Sequence, residues 1–161
     1  SPADRKEMME YADWLDKYAI SMDTTGANGA KSNAIARIFG DEEMRQQIFA
    51  EYNQMAMKKL GRKVRNYNDI TWKEKRFDVV VKGNIAKFSQ NEKLLNYLLS
   101  TGEKILVEAC PKDTVWGIGL DELSPEAIQP HKWKGENLLG FALMEVHNIL
   151  KNNKNEQEMY P

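Results

Sequence analysis

Apolar side chains recur every three or four residues along most of the chain, and this spacing strongly constrains its fold. Such a pattern predicts amphipathic helices that each bury one face. We expect helices from Asp4 to about Tyr18, from Ser32 to Ile38, and from about Glu136 to Lys151. Between the last two, four residues of the kind that cap helices are expected to begin further helices: Asp41, Asn53, Thr71 and Asn91. At Thr71 the expectation is a capping box closed by Glu74.

One short segment departs from this helical pattern. The run Ile105-Leu106-Val107-Glu108-Ala109 is typical of a strand. Residues 110–135 then form a long stretch with Gly and Pro, a length at which loops usually serve a function. We therefore predict an α+β fold, a compact, mainly helical single domain with a small β component.

Composition excludes several classes of protein. The 161 residues are 42% hydrophobic and 29% charged, as in an ordinary globular domain. A single cysteine, Cys110, excludes an internal disulfide and a thiolate-rich zinc site. No apolar run approaches the roughly 20 residues that span a bilayer, and the N-terminus has no signal-peptide core. These features predict a cytoplasmic location with no membrane partner.

Four widespread catalytic and cofactor motifs are absent from the sequence. His131 and His147 are isolated, and no phosphate-binding glycine loop, dinucleotide fingerprint or nucleophile elbow occurs. We expect no metal site and no cofactor.

Charge is distributed unevenly although it sums to −1. Residues 58–87 carry 10 basic and 3 acidic side chains, whereas the segments on either side are acidic. We call residues 58–87 the basic belt. It fits a solvated helix face about as well as a phosphate-binding surface, and Arg62, Lys63 and Lys87 are its candidate phosphate ligands.

Candidate site residues cluster in and around the long loop. Asp113 stands three residues before Trp116, which Gly117 follows, and Asn137 stands at a predicted helix start. A turn residue, a core tryptophan and a helix cap are the structural interpretations of Asp113, Trp116 and Asn137. The functional interpretation is a carboxylate beside a stacking ring, with Asn137 and the helix start holding ligand oxygens.

These motifs follow one another in the order of a known family. The matching segments are Lys87-Phe88-Ser89-Gln90-Asn91, Leu106–Ala109, Asp113-x-x-Trp116-Gly117-Ile118-Gly119, Trp133–Gly140 and Ala142–Val146. Upstream, Phe39-Gly40-Asp41-Glu42 and Leu60–Arg65 also match, as do Trp72 and Arg76-Phe77. Over residues 34 to 150 the chain resembles the NADAR superfamily, the YbiA-like proteins. On this basis we expect a YbiA-like domain over 34–151, an atypical helix and loop over 1–33, and a polar tail over 152–161.

The resemblance implies an N-glycosidase that hydrolyses a ribosyl C–N bond. Its implied substrates are ADP-ribosyl-guanine and ribosylamino-pyrimidine phosphates of the riboflavin pathway. The expected partner is therefore a ribosylated nucleobase or an ADP-ribose-type small molecule, with ADP-ribosylated nucleic acid as a further candidate.

Two positions depart from the family pattern. When Phe39-Gly40-Asp41 is aligned, Asn28 and Ile35 stand where the family has Glu and Lys. Either the chain is a degenerate relative or it omits a segment before Ser32. Asp113 and Glu108 are the remaining candidate catalytic carboxylates, and for the sequence as it stands we expect hydrolysis to be absent or very slow, with binding retained.

Two alternatives to an enzyme therefore stay open. One is a catalytically degenerate module that binds ADP-ribose or a related nucleotide. The other is a helical protein-interaction domain that docks through its first helix.

Overall fold

A computed structural model describes residues 31–160. The chain divides into two compact units, with the boundary between Lys87 and Phe88. The sequence pattern predicts a single domain. Each unit is described by itself below. The predicted helix from Asp4 to Tyr18 lies outside the described residues.

The described part of the first unit is built from helices. Residues 31–38 are helical (α1), followed by α2 (Glu42–Ala50), α3 (Gln54–Gly61) and α4 (Asp69–Ser89), whose last two residues pass the boundary. The predicted caps at Asp41 and Asn53 are confirmed, because the Asp41 side chain accepts one backbone N–H of the first helical turn and the Asn53 side chain accepts two.

The capping box predicted at Thr71 is wrong. Helix α4 begins at Asp69, and Asn68 Oδ1 accepts the Thr71 N–H at 3.0 Å. Asn68 is the stronger capping residue and stands three positions earlier, so it starts the helix first.

A small apolar core holds the helices of the first unit together. Its buried members come from α1, α2, α3 and the segment that follows: Ala36, Ile48, Met57 and Val64. Ile35, the residue aligned with the family lysine, is partly buried and packs against this cluster. Position 35 therefore contributes apolar packing.

In the second unit, one long segment of irregular backbone, residues 101–124, connects helices. Asn91 caps α5 (Glu92–Ser100), as predicted, and its Oδ1 accepts the Leu94 N–H at 3.1 Å. Two short 3-10 helices follow, Pro125–Ile128 and Pro130–Lys132, and then α6 (Leu138–Met159). The last helix was expected to end at Lys151, but residues 152–159 continue it and are all exposed.

The predicted α+β class is wrong for the part of the chain that the structure describes. Residues 31–160 contain α- and 3-10 helices and no strand, so the expected strand over 105–109 does not form. A strand needs a second strand to satisfy its backbone. On one edge of residues 105–109, the side chain of Asn137 makes the hydrogen bonds that a second strand would make, to the backbone of Leu106 and Glu108. No helix within residues 31–160 is long and apolar enough to cross a bilayer.

Candidate functional site

Three segments of the second unit meet around Glu108. They are residues 105–109, the loop 113–119, and residues 134–140, which lead into α6. Backbone hydrogen bonds join them: Ile118 N–H donates to the Glu108 carbonyl at 2.9 Å, and Lys134 N–H donates to the Ile118 carbonyl at 2.9 Å. We call this arrangement the loop clasp.

Asn137 is the polar centre of the loop clasp. The residue is fully buried and has left-handed backbone, with φ of 54°. Its Nδ2 donates to the Leu106 carbonyl and its Oδ1 accepts the Glu108 N–H, both at 2.9 Å. The structural interpretation of Asn137 as a side-chain helix cap is wrong, since the side chain makes no cap hydrogen bond. Its amide instead fixes the backbone on both sides of Val107.

Two glycines allow the segments of the clasp to approach each other. A Cβ on Gly117 would lie 2.8 Å from the Glu108 carbonyl oxygen and 3.3 Å from Glu108 Cγ. A Cβ on Gly140 would overlap the Leu106 carbonyl oxygen and lie 2.6 Å from Asn137 Oδ1. Both contacts are with backbone or buried atoms that cannot move aside easily. A larger residue at 140 would therefore force residue 106 away from α6, and one at 117 would force residue 108 away from the loop 113–119.

Asp113 shapes the loop that carries Trp116. Its Oδ1 accepts the N–H groups of Val115 at 3.0 Å and Trp116 at 2.8 Å, an arrangement typical of an aspartate that stabilises a turn. Asp113 and Trp116 are both half-buried. The turn interpretation of Asp113 therefore describes its contacts here.

The start of α6 is occupied by the same loop. The N–H groups of Asn137, Leu138 and Leu139 donate to the carbonyls of Gly117, Val115 and Trp116 at 3.0, 3.2 and 3.0 Å. A helix start binds anions through free N–H groups of this kind. The expectation that this helix start holds phosphate oxygens is therefore not supported for these three donors.

A cavity of about 200 Å³ lies beside the loop clasp. Glu108 is the one acidic residue of its wall, and the remaining lining residues are mostly apolar. They include Phe88, Tyr97 and Leu98 from α4 and α5, and Leu106, Leu139 and Leu143 from residues 105–109 and α6. The sequence did not identify these apolar residues as site residues. Four of them lie within the matching family segments, where an apolar residue that lines a cavity cannot be distinguished from one in the core: Phe88, Leu106, Leu139 and Leu143.

The structure brings together only part of the predicted site. Glu108, Asp113, Trp116, Gly117 and Asn137 all belong to the loop clasp. Candidate phosphate ligands from the basic belt lie in the first unit and are exposed: Arg62, Lys63 and Lys87. Within residues 31–160, no group of three or more His, Cys, Asp or Glu side chains is arranged to hold a metal ion.

Comparison with known proteins places the chain in a family. The NADAR domain profile matches residues 32–151. The chain is 46% identical over 111 residues to the N-glycosidase R617 of Acanthamoeba polyphaga mimivirus, covering 69% of this chain and 65% of the viral protein. It is 31% identical over 115 residues to the N-glycosidase YbiA of Escherichia coli (strain K12), covering 71% of this chain and 65% of that protein.

A solved structure shares the fold. The NMR structure of the E. coli protein YbiA superposes with a TM-score of 0.63 at 30% identity, covering 79% of this chain and 69% of that one. The chain spans just under two thirds of the length of the viral and bacterial relatives. The profile match and these relatives agree with the motifs gathered in the loop clasp, so the chain belongs to the NADAR domain family.

Proposed function

We propose that this chain carries the core of an N-glycosidase that hydrolyses the C–N bond between a ribose and a nucleobase or pyrimidine. Two of its relatives are named N-glycosidases. The observation that carries the proposal is the placement of Glu108, whose backbone Asn137 holds at the wall of the cavity.

The reaction needs a carboxylate beside the sugar. As the bond from C1′ to the base nitrogen breaks, positive charge develops on the ribose and the electron pair leaves with the base. Water then supplies a hydroxyl group to C1′ and a proton to the base. A carboxylate next to C1′ stabilises the cation and can take the proton from the water. We assign this role to Glu108, with Asp113 as the second candidate.

The surrounding residues support this assignment by their positions. Gly117 leaves room for the stem of Glu108, because its missing Cβ would lie 3.3 Å from Glu108 Cγ. Asp113 holds the turn at Trp116, whose ring we propose stacks on a flat base or on the sugar. Asn137 is proposed to act indirectly, by positioning Glu108, since both ends of its amide are bonded to backbone.

Turnover tests the proposal directly. The intact chain is incubated with ADP-ribosyl-guanosine and, separately, with a ribosylamino-pyrimidine phosphate, and free base and free sugar are measured. We expect the two products in equal amounts, released at the very low rate expected for a chain without the family Glu and Lys. Glu108→Gln keeps the size of the side chain and removes its charge, so it should lower the rate by about 100- to 1000-fold. Asp113→Asn is the matched comparison, because it retains an oxygen for the Val115 and Trp116 N–H groups.

The two variants assign the catalytic carboxylate. A large rate loss in Asp113→Asn with little change in Glu108→Gln would move the role to Asp113. If the unmodified chain turns over measurably and neither substitution lowers its rate, neither carboxylate is catalytic and the mechanism above is wrong.

A second function is favoured by the packing of Ile35. The residue aligned with the family lysine contributes to the apolar core, so it supplies no charge to a reaction. In this alternative the chain binds ADP-ribose or a related nucleotide, free or on nucleic acid, without cleaving it.

Ligand-induced stabilisation tests that binding function. ADP-ribose at a hundredfold excess over its Kd would stabilise the protein by about 2.7 kcal/mol. Trp116→Ala should abolish the stabilisation and Trp116→Phe should retain it. Stabilisation without detectable hydrolysis favours the binder over the enzyme, and stabilisation that survives Trp116→Ala removes Trp116 from the site.

A further inference from the structure

The segment 104–110 has one edge satisfied within the protein and the other open. Its central residues, 105–108, follow the turn at 101–104 and are neither helical nor in a turn. Backbone groups of Leu106 and Glu108 bond inward, to Asn137 and Ile118. In an extended backbone, the N–H and C=O groups of alternate residues point to opposite edges. The corresponding groups of Ile105 and Val107 therefore point away from the clasp.

Nothing in the described part of the chain pairs with that outer edge. The N–H and C=O groups of Ile105 and Val107 make no hydrogen bond with residues 31–160. Their side chains are 55% and 39% exposed. An exposed edge with unpaired backbone groups and apolar side chains is a template for another extended segment.

We propose that this edge pairs with the same segment of a second copy of the chain, antiparallel and about a two-fold axis at Leu106. In this register Ile105 lies opposite Val107 of the second copy, and each pair exchanges two hydrogen bonds. All four open groups on each chain are then satisfied. Both cross-strand pairs on that face join two β-branched side chains, which pack well in sheets.

Charge favours the same register. Lys104 lies opposite Glu108 of the second copy, and the reverse pair follows from the symmetry. Neither side chain forms an ion pair with any residue in 31–160 in the single chain. Sliding the pairing by two residues in one direction would place Val107 opposite Glu103 and lose the Lys–Glu pair. The second copy would thus bring a lysine next to the carboxylate at the wall of the cavity.

Hydrogen exchange and sedimentation test this pairing on the unmodified chain. Five paired residues make a small interface, so association is followed from roughly 10 µM to 1 mM. We expect a monomer–dimer equilibrium in which the amides of Ile105 and Val107 exchange more slowly as concentration rises. The Ile118 amide, bonded within one chain, is the internal control and should not change with concentration.

Variants separate backbone pairing from charge. Val107→Pro removes an N–H that bonds nothing in residues 31–160, and it should weaken dimerisation by about tenfold or more. Lys104→Glu places two carboxylates opposite each other and should also weaken it. Lys112→Glu makes the same charge change outside the paired residues and should leave dimerisation unchanged.

The register has its own test. In a Cys110→Ser background, mixing Ile105→Cys with Val107→Cys should give a disulfide-linked heterodimer, because directly opposed residues of this type have Cα atoms about 5.5 Å apart. Three results would overturn the proposal: a monomer across the whole range, a dimer unaffected by Val107→Pro, or slow exchange at Ile105 and Val107 already in the dilute monomer. The last result would mean that the same chain covers the edge.

Discussion

Asn137 combines two unusual features in one residue, left-handed backbone and a fully buried amide that bonds two other backbone positions. Replacing it with alanine would leave the Leu106 carbonyl and the Glu108 N–H without partners. Unsatisfied buried groups cost about 1–3 kcal/mol each, so Asn137→Ala should destabilise the second unit by roughly 2–6 kcal/mol. Urea denaturation measures this loss, and exchange of the Glu108 amide reports it locally.

Asn137→Gly separates the amide from the backbone conformation. Glycine adopts positive φ without strain but makes neither hydrogen bond. If Asn137→Gly restores the stability lost in Asn137→Ala, the conformation matters and the two hydrogen bonds do not. We expect the glycine variant to remain close to the alanine variant.

Alanine substitutions at two helical glycines are expected to change the stability of the protein in opposite directions. Gly140 lies in α6 against the Leu106 carbonyl, whereas Gly83 lies in α4 with nothing within 4 Å of its missing Cβ. Gly140→Ala should destabilise by more than about 2 kcal/mol through overpacking. Gly83→Ala should stabilise by about 1 kcal/mol, because alanine has the higher helix propensity. Thermal unfolding of both variants checks the signs, and a neutral Gly140→Ala would contradict the close approach of residue 106 to α6.

At the scale of elements, an ion pair links the start of α2 to the segment after α3. Asp41 is buried, and its carboxylate accepts from the guanidinium and the backbone N–H of Arg65, each at 2.8 Å. These bonds, with that from the Met44 N–H, lower the pKa of Asp41 from 3.8 to about 2. Because the folded pKa is the lower one, the stabilisation is present in full above the unfolded value of 3.8. It is lost as pH falls toward 2.

Asp41→Asn tests this pH dependence. The amide keeps an oxygen for the Met44 N–H but removes the charge that faces Arg65. We expect a lower Tm than that of the unmodified chain at neutral pH, and a difference that shrinks as pH falls from about 4 to 2. Glu43→Gln is the control, because Glu43 lies 3.3 Å from the same guanidinium but is exposed. A Tm difference that stays constant down to pH 2 would show that charge does not cause the effect.

Features fixed by contacts between near neighbours in sequence could be predicted, and features fixed by distant contacts could not. Asp41, Asn53 and Asn91 were identified as caps because a cap bonds N–H groups two or three residues away. The prediction of a strand over 105–109 is wrong because the backbone pairing of this segment depends on Asn137, which lies 29 residues after Glu108 in the sequence. Local propensity favours an extended segment there and carries no information on what will pair with it.

The same limit applies to the candidate site. The motif order placed Glu108, Asp113 and Asn137 in one family pattern, but the role of each residue depends on contacts between segments that are distant in sequence. Asn137 resembles a helix cap in sequence, and only the fold shows that its amide bonds another segment. Helical spacing does not separate Gly140 from Gly83, and only the matching segment Trp133–Gly140 distinguishes the two glycines.

At the scale of the whole molecule, charge separates the basic belt from the acidic segments on either side. If Arg62 and Lys63 pair with phosphate, affinity for ADP-ribose should fall as salt rises, because ions screen exposed charges. The double change Arg62→Ala with Lys63→Ala should weaken binding by about three- to tenfold and flatten the salt dependence.

A neighbouring pair of lysines is the control for this prediction. Lys58 and Lys59 lie in the last turn of α3 and are exposed, so replacing both with alanine removes the same charge from the same belt. Specific pairing predicts a much smaller loss of affinity from the Lys58/Lys59 variant, measured by calorimetry at low and high salt. Equal losses from the two double variants would show that the belt acts through diffuse attraction. No loss from either would leave Arg62 and Lys63 as part of a solvated helix face, the interpretation that the sequence left open.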